Sequence, residues 1–254
     1  MGVDTRNFRD DTVVGLSLGF ARTDVDSQNA NRTRTDIDSY QLMVYGNHDL
    51  GGNTFLTGMA VYGWNRNEQT RHNVGGIAGL TADADYDSWA GGLRTSIGHN
   101  FPYAPHAMGA AAFRLTPQLF SEYVHFNRDG YIETGAGGAS LSVGEAGATI
   151  LNLGLSLQAE WTYLLQDGSK LKPDLHGSYK YDVIGDSADT TASFAAGGST
   201  FEAVGADPAT SVFSLGAGLK LYDQNGWDFT ANYDYTFKSD YEAHSGFLRA
   251  AYEF

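Results

Sequence analysis

Along most of the chain, apolar and polar side chains alternate in steps of two. In residues 150–165, Leu151, Leu153, Leu155, Leu157, Ala159, Trp161, Tyr163 and Leu165 share one face. Asn152, Gly154, Ser156, Gln158, Glu160 and Thr162 share the other. Side chains of a strand point alternately to its two faces, whereas a helix repeats its apolar positions at three and four residues. The pattern therefore predicts a strand. Residues 171–183 repeat it, with Leu171, Leu175, Tyr179 and Tyr181 against Lys172, Asp174, His176, Lys180 and Asp182. So do residues 227–238, with Trp227, Phe229, Tyr233 and Phe237 against Asp228, Asn232, Asp234 and Lys238. Segments near 12–21, 39–48, 54–64, 87–99, 113–126, 212–222 and 243–254 are strand-like as well. The reading is about ten strands and no convincing helix.

The connections alternate in length. Short turns are expected at 50–53, 166–169 and 223–226, each with glycine and polar turn residues. Residues 100–111 read as a fourth short-side turn carrying an insertion. Polar segments at 23–37, 66–85, 128–148 and 185–210 read as long loops, and the connection near 239–242 is short. This is the grammar of an antiparallel up-and-down meander with a short-turn rim and a long-loop rim. With an even strand count, both chain ends fall on the short-turn side.

Such a meander closes either as a soluble barrel with an apolar interior or as a transmembrane β-barrel with its apolar face in lipid. The periodicity is the same for both. Three features favour the membrane. The polar face is rich in small residues, among them Gly15, Ser17, Gly19, Gly92, Ser96, Gly154, Ser156, Gly216 and Gly218. Aromatic residues such as Trp161, Tyr163, Tyr179, Tyr181, Trp227, Tyr252 and Phe254 sit near strand ends on the apolar face, where interfacial girdles belong. The apolar stretches are close to the roughly 9–11 residues that a tilted membrane strand needs. Lipid offers the backbone no hydrogen-bond partners, so the sheet is expected to close.

Composition narrows the function. The 254-residue chain contains no cysteine, which rules out disulfides and thiolate chemistry. Its formal net charge of −14 leaves no basic surface for nucleic acid. No apolar run is long enough for a transmembrane helix. Residues 1–11 lack the apolar core of a secretory signal, as expected of a cytosolic protein or of a mature fragment with a new start methionine.

Several segments, taken in order, resemble the autotransporter β-domain of type V secretion: VGLSLGFARTDVD, SYQLMVYGNHDL, FLTGMAVYGWNR, LTPQLFSEYVHFNRDGYIETGAG, LKPDLHGSYKYDV and the terminal AYEF. The resemblance spans nearly the whole chain. It implies one domain over residues 1–254, a translocator barrel in the outer membrane of Gram-negative bacteria. The family pattern has twelve strands. Its first two strands and a lumenal linker helix precede the GVD segment, so MGVD reads as the tail of the second strand. The implied partners are outer-membrane lipid and lipopolysaccharide, the barrel-assembly machinery and the protein's own passenger linker in the lumen. The assembly signal falls on Leu248, Ala250, Tyr252 and Phe254. A small porin-like or adhesin-like barrel without a passenger is the alternative.

The candidate lumen-facing residues are Arg94, Glu122, Glu160, Lys172, Asp174, Lys180, Asp182, Lys220, Asp234 and Arg249. The acids Glu122, Glu160, Asp174 and Asp234 are expected to pair with Arg94, Lys172, Lys180, Lys220 and Arg249, since opposite charges on neighbouring strands support pairing. An outer-rim hydrolase site would need carboxylates and a histidine together. Asp83, Asp85, Asp87, His72 and His125 are the residues available there, and they read as solvated surface. The residues 83–87 also lack the glycine and terminal glutamate of a calcium loop. The expectation is a pore, with no enzyme activity, cofactor or metal.

Overall fold

The computed structural model describes residues 2–9, 11–27, 32–103, 110–205, 210–239 and 241–252. Its strands are β1 (Gly2–Arg9), β2 (Thr12–Asp26), β3 (Thr33–Gly51), β4 (Thr54–Arg71), β5 (Ala82–His99), β6 (Phe101–Tyr103), β7 (Ala112–Arg128), β8 (Tyr131–Ile132), β9 (Leu141–Val143), β10 (Ala146–Leu164), β11 (Lys170–Asp182), β12 (Thr190–Phe194), β13 (Phe201–Ala203), β14 (Ser211–Tyr222), β15 (Trp227–Lys238) and β16 (Tyr241–Tyr252). The main sheet runs β1-β2-β3-β4-β5-β7-β10-β11-β14-β15-β16, with every pair antiparallel, and it curls into a half-barrel. β6 adds a short ribbon against β7 within the expected insertion.

The ten expected strands are all present, and β1 is added to them. Residues 2–9 pair with β2, Gly2 lying opposite Ser17. The described chain therefore enters halfway up the sheet and not at the short-turn rim. β1 and β16 are not paired with each other among the described residues, so the sheet is open where a closed one was expected.

Two of the expected long loops turn out to be strand. β2 and β3 stay paired out to Asp26 and Arg34, and β4 and β5 out to Arg71 and Ala82. The alternation that marks a strand in sequence ends near Tyr40 and Trp64, because beyond them both faces are polar. Charge pairs line the extension instead, across strands from Arg22 Nε to Asp38 Oδ1 at 2.8 Å and along β3 from Arg34 Nε to Asp36 Oδ1 at 3.1 Å. The other two long segments form a second sheet in the order β13-β12-β9-β8. It joins the rim through reciprocal backbone hydrogen bonds between Asp83 and Thr134, both 2.8 Å.

The apolar face of the main sheet lies outside. Leu155 is 53% exposed, while Glu160 on the opposite face is 4% exposed, which decides the orientation. A soluble barrel would show the reverse. Aromatic rings border this face in two rows. Phe20, Tyr40, Trp64 and Trp89, then Tyr179, Phe213 and Phe237, lie toward the long-loop rim, with neighbours such as Tyr40 and Trp64 at 5.7 Å between centroids. Tyr103, Phe113 and Trp161, then Trp227 and Tyr252, lie toward the short turns. On β15 the rows are marked by Trp227 and Phe237. Ten strand steps at a tilt of about 40° put them about 25 Å apart, the height of an outer-membrane barrel's apolar band.

The true hydrophobic core is small and lies at the long-loop rim. Val74, Ala82 and Ala136 are buried together, with Leu80 and Ala139 packed against them.

Candidate functional site: the polar face

Cross-strand register brings all ten predicted polar residues to one face. Arg94, Glu122, Asn152 and Asp182 stand opposite one another in a row across β5, β7, β10 and β11. Glu122 is the hub of that level. Lys180 Nζ lies 2.6 Å from its Oε2 and Arg94 Nη1 lies 3.5 Å from its Oε1, while Asn152 Nδ2 donates to Oε2 at 3.3 Å. Asp182 Oδ1 accepts from the backbone N–H groups of Leu151 and Ile184.

Nearer the short turns, Glu160 is the hub of a second level. Arg114 Nη2 donates to Oε1 at 2.8 Å, Lys172 Nζ lies 3.7 Å from Oε1, and Lys220 Nζ lies 3.5 Å from Oε2. Arg249 belongs to the same level by register, through Thr230 and Lys220. It has no ion-pair partner among the described residues.

The pairing of Asp174 and Asp234 differs from expectation. Both face His176 and neither pairs with a lysine. Its Nδ1 is 2.8 Å from Asp174 Oδ1 and its Nε2 is 2.8 Å from Asp234 Oδ1. An imidazole donates from both nitrogens only as the cation, so this geometry is an ion pair on each side. Gln158 Nε2 donates to Asp174 and Asn232 Nδ2 to Asp234, which completes the cluster.

The small residues of this face have a structural cause. Asp174 and His176 stand on β11 and Asp234 on β15, with β14 between them. A Cβ on Gly216 would lie 2.2 Å from His176 Nε2, and one on Gly218 would lie 2.2 Å from Asp174 Oδ2. Gly15 sits likewise beneath the Tyr45 ring and Gly154 beneath Phe120. The glycines let long side chains lie flat across neighbouring strands. Cavities of about 350 and 400 Å³ remain along the face, the first beside Arg114, Gln118 and Asn47, the second beside Arg94, Lys220 and Asn232.

The residues considered for an outer-rim hydrolase do not converge. His125 lies on the apolar face, 5.3 Å from the Trp89 ring, with its Nδ1 2.9 Å from Thr149 Oγ1. Asp83 Oδ1 accepts from Thr70 Oγ1. His72 lies at the far end of β4, beside a cavity lined by Asp26, Ser27, Arg32 and Arg34.

The rim contains a feature the sequence reading missed. Glu133 is 3% exposed and accepts from Arg71 Nε at 2.9 Å and from the Leu141 N–H at 2.9 Å, and Arg71 Nη2 also reaches it. The Glu133 carboxylate stabilises the Arg71 guanidinium and pushes its pKa up further. Beside it, Arg128 stacks over the Tyr131 ring at 5.0 Å and Tyr131 over Tyr86 at 4.4 Å. Burial pushes the Tyr86 phenol up. No sequence periodicity signals such a junction, because its members come from the ends of β4, β5, β7 and β8 and from the segment after β8. His176 and Arg114 were within reach of the alternation, since both occupy polar-face positions.

Leu248, Ala250 and Tyr252 lie on the apolar face of β16, opposite Ala231, Phe229 and Trp227. Tyr252 packs on Trp227 at 5.1 Å. Phe254 lies outside the described residues.

Comparison with known proteins agrees with this geometry. The chain is 20% identical over 260 residues to "Outer membrane protein B" of Rickettsia prowazekii (strain Madrid E), and 22% identical over 260 residues to that of Rickettsia conorii. Each match covers 100% of this chain and 15% of the relative, so the chain spans about a seventh of the relatives' length. In fold it is similar to the translocator domain of autotransporter NalP from Neisseria meningitidis, with TM-score 0.75 and 21% identity over 100% of this chain and 79% of that one. It is also similar to the β domain of the Bordetella autotransporter BrkA, with TM-score 0.61 and 16% identity over 98% and 86%. The profile of the Autotransporter beta-domain family matches residues 1–234, and the chain belongs to that family of outer-membrane barrels.

Proposed function

We propose that the protein is the outer-membrane translocator pore of an autotransporter, supporting export of a passenger that precedes it in the full-length chain. The observation that carries the reading is the inverted sheet. Its leucine face lies outside between two aromatic rows, and its ion-paired polar face lies within the curve. The family assignment puts the domain in the bacterial outer membrane and makes it a transport barrel. The curated relatives are several times longer than this chain, which fits a passenger ahead of the barrel.

In this reading, residues 1–254 act as one translocator domain completed by the sequence ahead of it, and the polar face lines the lumen. Arg94, Glu122, Glu160, Lys172, Asp174, Lys180, Asp182, Lys220, Asp234 and Arg249 hydrate the wall along which the passenger linker passes. The apolar face meets outer-membrane lipid and lipopolysaccharide. The barrel-assembly machinery reads Leu248, Ala250, Tyr252 and Phe254 as alternating apolar residues with an aromatic end. Its work is transport, without catalysis.

The test is export of a reporter. An epitope placed in the passenger of the full-length protein is expected to become cleavable by protease added to intact cells, with the domain in the outer-membrane fraction. An epitope that stays inside while the barrel is inserted would favour a barrel without a passenger. A second test addresses the end of the chain. Deletion of Phe254 is expected to impair assembly in cells more than refolding in detergent, and equal loss in both would reduce the residue to a structural role.

A further inference from the structure

Much of the polar face is ion-paired, but one corner near the short turns is built from neutral amides around an aromatic ring. Register sets Asp49, Phe55, Gly98, Gln118 and Ser156 in one row across β3, β4, β5, β7 and β10. The Phe55 ring reaches over Gly98, where an added Cβ would lie 2.5 Å from its Cζ. Gln118 comes in over the same glycine from the other side, 2.8 Å from that Cβ at its Cγ. The ring and the amide thus meet above a bare stretch of β5, and both line the cavity of about 350 Å³.

The polar groups around the ring are half used. Gln118 Oε1 accepts from Ser96 Oγ at 3.2 Å, Asn100 Oδ1 accepts from Thr116 Oγ1 at 2.9 Å, and Gln158 Nε2 donates to Asp174 Oδ1 at 3.1 Å. The other end of each amide, and the whole amide of exposed Asn47, has no partner among the described residues. Asp49 Oδ1 accepts from the Gly51 N–H at 2.8 Å, which leaves Oδ2 open. An amide offers a donor and an acceptor side by side, and a sugar hydroxyl is both donor and acceptor. The negative face of an aromatic ring attracts the polarised C–H bonds on the face of a pyranose. An anion does not fit, because Asp49 repels it and the Arg114 guanidinium is engaged by Glu160. A divalent cation does not fit either, because it needs several oxygen ligands and one exposed carboxylate is too few.

We propose that this corner is a binding site for a short neutral saccharide. Phe55 stacks on the face of one sugar ring, Gln118, Gln158, Asn100 and Asn47 bond its hydroxyls, and Asp49 Oδ2 accepts from one more. The cavity of about 350 Å³ falls within the roughly 300–1,000 Å³ of small-ligand sites and fits a disaccharide. In the translocator reading the short-turn end faces the periplasm, so the sugar comes from that side. The site itself is made by the inner wall alone and needs no passenger.

The test is saturation-transfer NMR on the full chain, refolded in a detergent without a sugar headgroup. The probes are cellobiose and N,N′-diacetylchitobiose, with sorbitol as the control that carries hydroxyls but no ring. A disaccharide is expected to receive saturation from the protein, most strongly at its ring C–H protons, and sorbitol is not. Phe55→Leu is expected to weaken binding several-fold, and Phe55→Tyr to retain it. Asn47→Ala, which breaks no hydrogen bond in the sheet, is expected to weaken binding with the midpoint of thermal unfolding unchanged, and it decides alone if Phe55→Leu does not refold. No saturation of either disaccharide, an equal response from sorbitol, or unaltered binding by the Phe55→Leu and Asn47→Ala variants overturns the proposal. The translocator reading fails separately, through a reporter that is not exported by a protein that does bind the sugar.

Discussion

His176 and Asp234 meet across an intervening strand. The 2.8 Å contact between Nε2 and Oδ1 passes over Gly216 of β14, and a methyl group at that position would occupy the space of the contact. The ion pair and the glycine are therefore one structural unit. This explains why glycines recur on a face that otherwise carries charges.

Gly216→Ala is expected to break this unit. With its Cβ built 2.2 Å from His176 Nε2 and 2.6 Å from Asp234 Oδ1, the variant must displace one partner. Loss of a charge-assisted hydrogen bond of this kind costs about 1.5–3 kcal/mol. The midpoint of thermal unfolding in detergent, followed by circular dichroism, should fall accordingly. Gly58→Ala, where a Cβ meets nothing within 4 Å, should leave it unchanged.

The Arg71–Glu133 junction should hold the outer loops independently of the membrane-spanning sheet. Glu133→Ala leaves a guanidinium that is only 15% exposed without its partner. Breaking a buried pair on one side costs about 3–5 kcal/mol, whereas apolar replacement of both partners is often neutral. Limited proteolysis should cut the Glu133→Ala variant within 72–81 and 129–145 while the strands survive. Arg71→Met with Glu133→Leu should regain protection.

Leu155→Arg tests which solvent the apolar face meets. An arginine on the lipid face near mid-membrane costs about 2–4 kcal/mol. The same change on a water-facing surface stays within about 0.5 kcal/mol. Urea unfolding in lipid vesicles distinguishes the two.

The short turn before β15 should weaken in acid. Asn225 donates from Nδ2 at 2.8 Å and from its backbone N–H at 3.1 Å to Asp223 Oδ2, and these bonds hold the carboxyl below the usual carboxylate range. A lowered folded value means the stabilisation is complete above the ordinary range and is lost as pH falls through the depressed one. Carboxyl NMR of Asp223 should show that low midpoint, and Asn225→Ala should return it toward the ordinary value.

The strands from Val14 to Leu248 were legible because each alternates one apolar with one polar side chain, and the lipid-facing surface imposes that period. The extensions of β2 to β5 were not, since Asp24, Asp36, Glu68 and Asp85 lie where both faces meet water and no period survives. The charged wall was legible as a set of residues but only partly as a network. Arg94 with Glu122 and Lys172 with Glu160 follow from strand neighbourhood. The His176 cluster does not, because its reach across β14 depends on what Gly216 lacks. Glu133 gave no signal, since its partner lies 62 residues away at the end of β4.

Every long strand of the main sheet pairs with the long strand before it and the one after it in the chain. No loop must be closed over a distant partner until the two edges are brought together. Loop-closure entropy is therefore spent in small instalments, and the sheet can lengthen hairpin by hairpin. At each stage the newest strand is the exposed edge. The slow step of assembly is then the last one, at β16, where a single row of unsatisfied N–H and C=O groups must find its partner before lipid surrounds it.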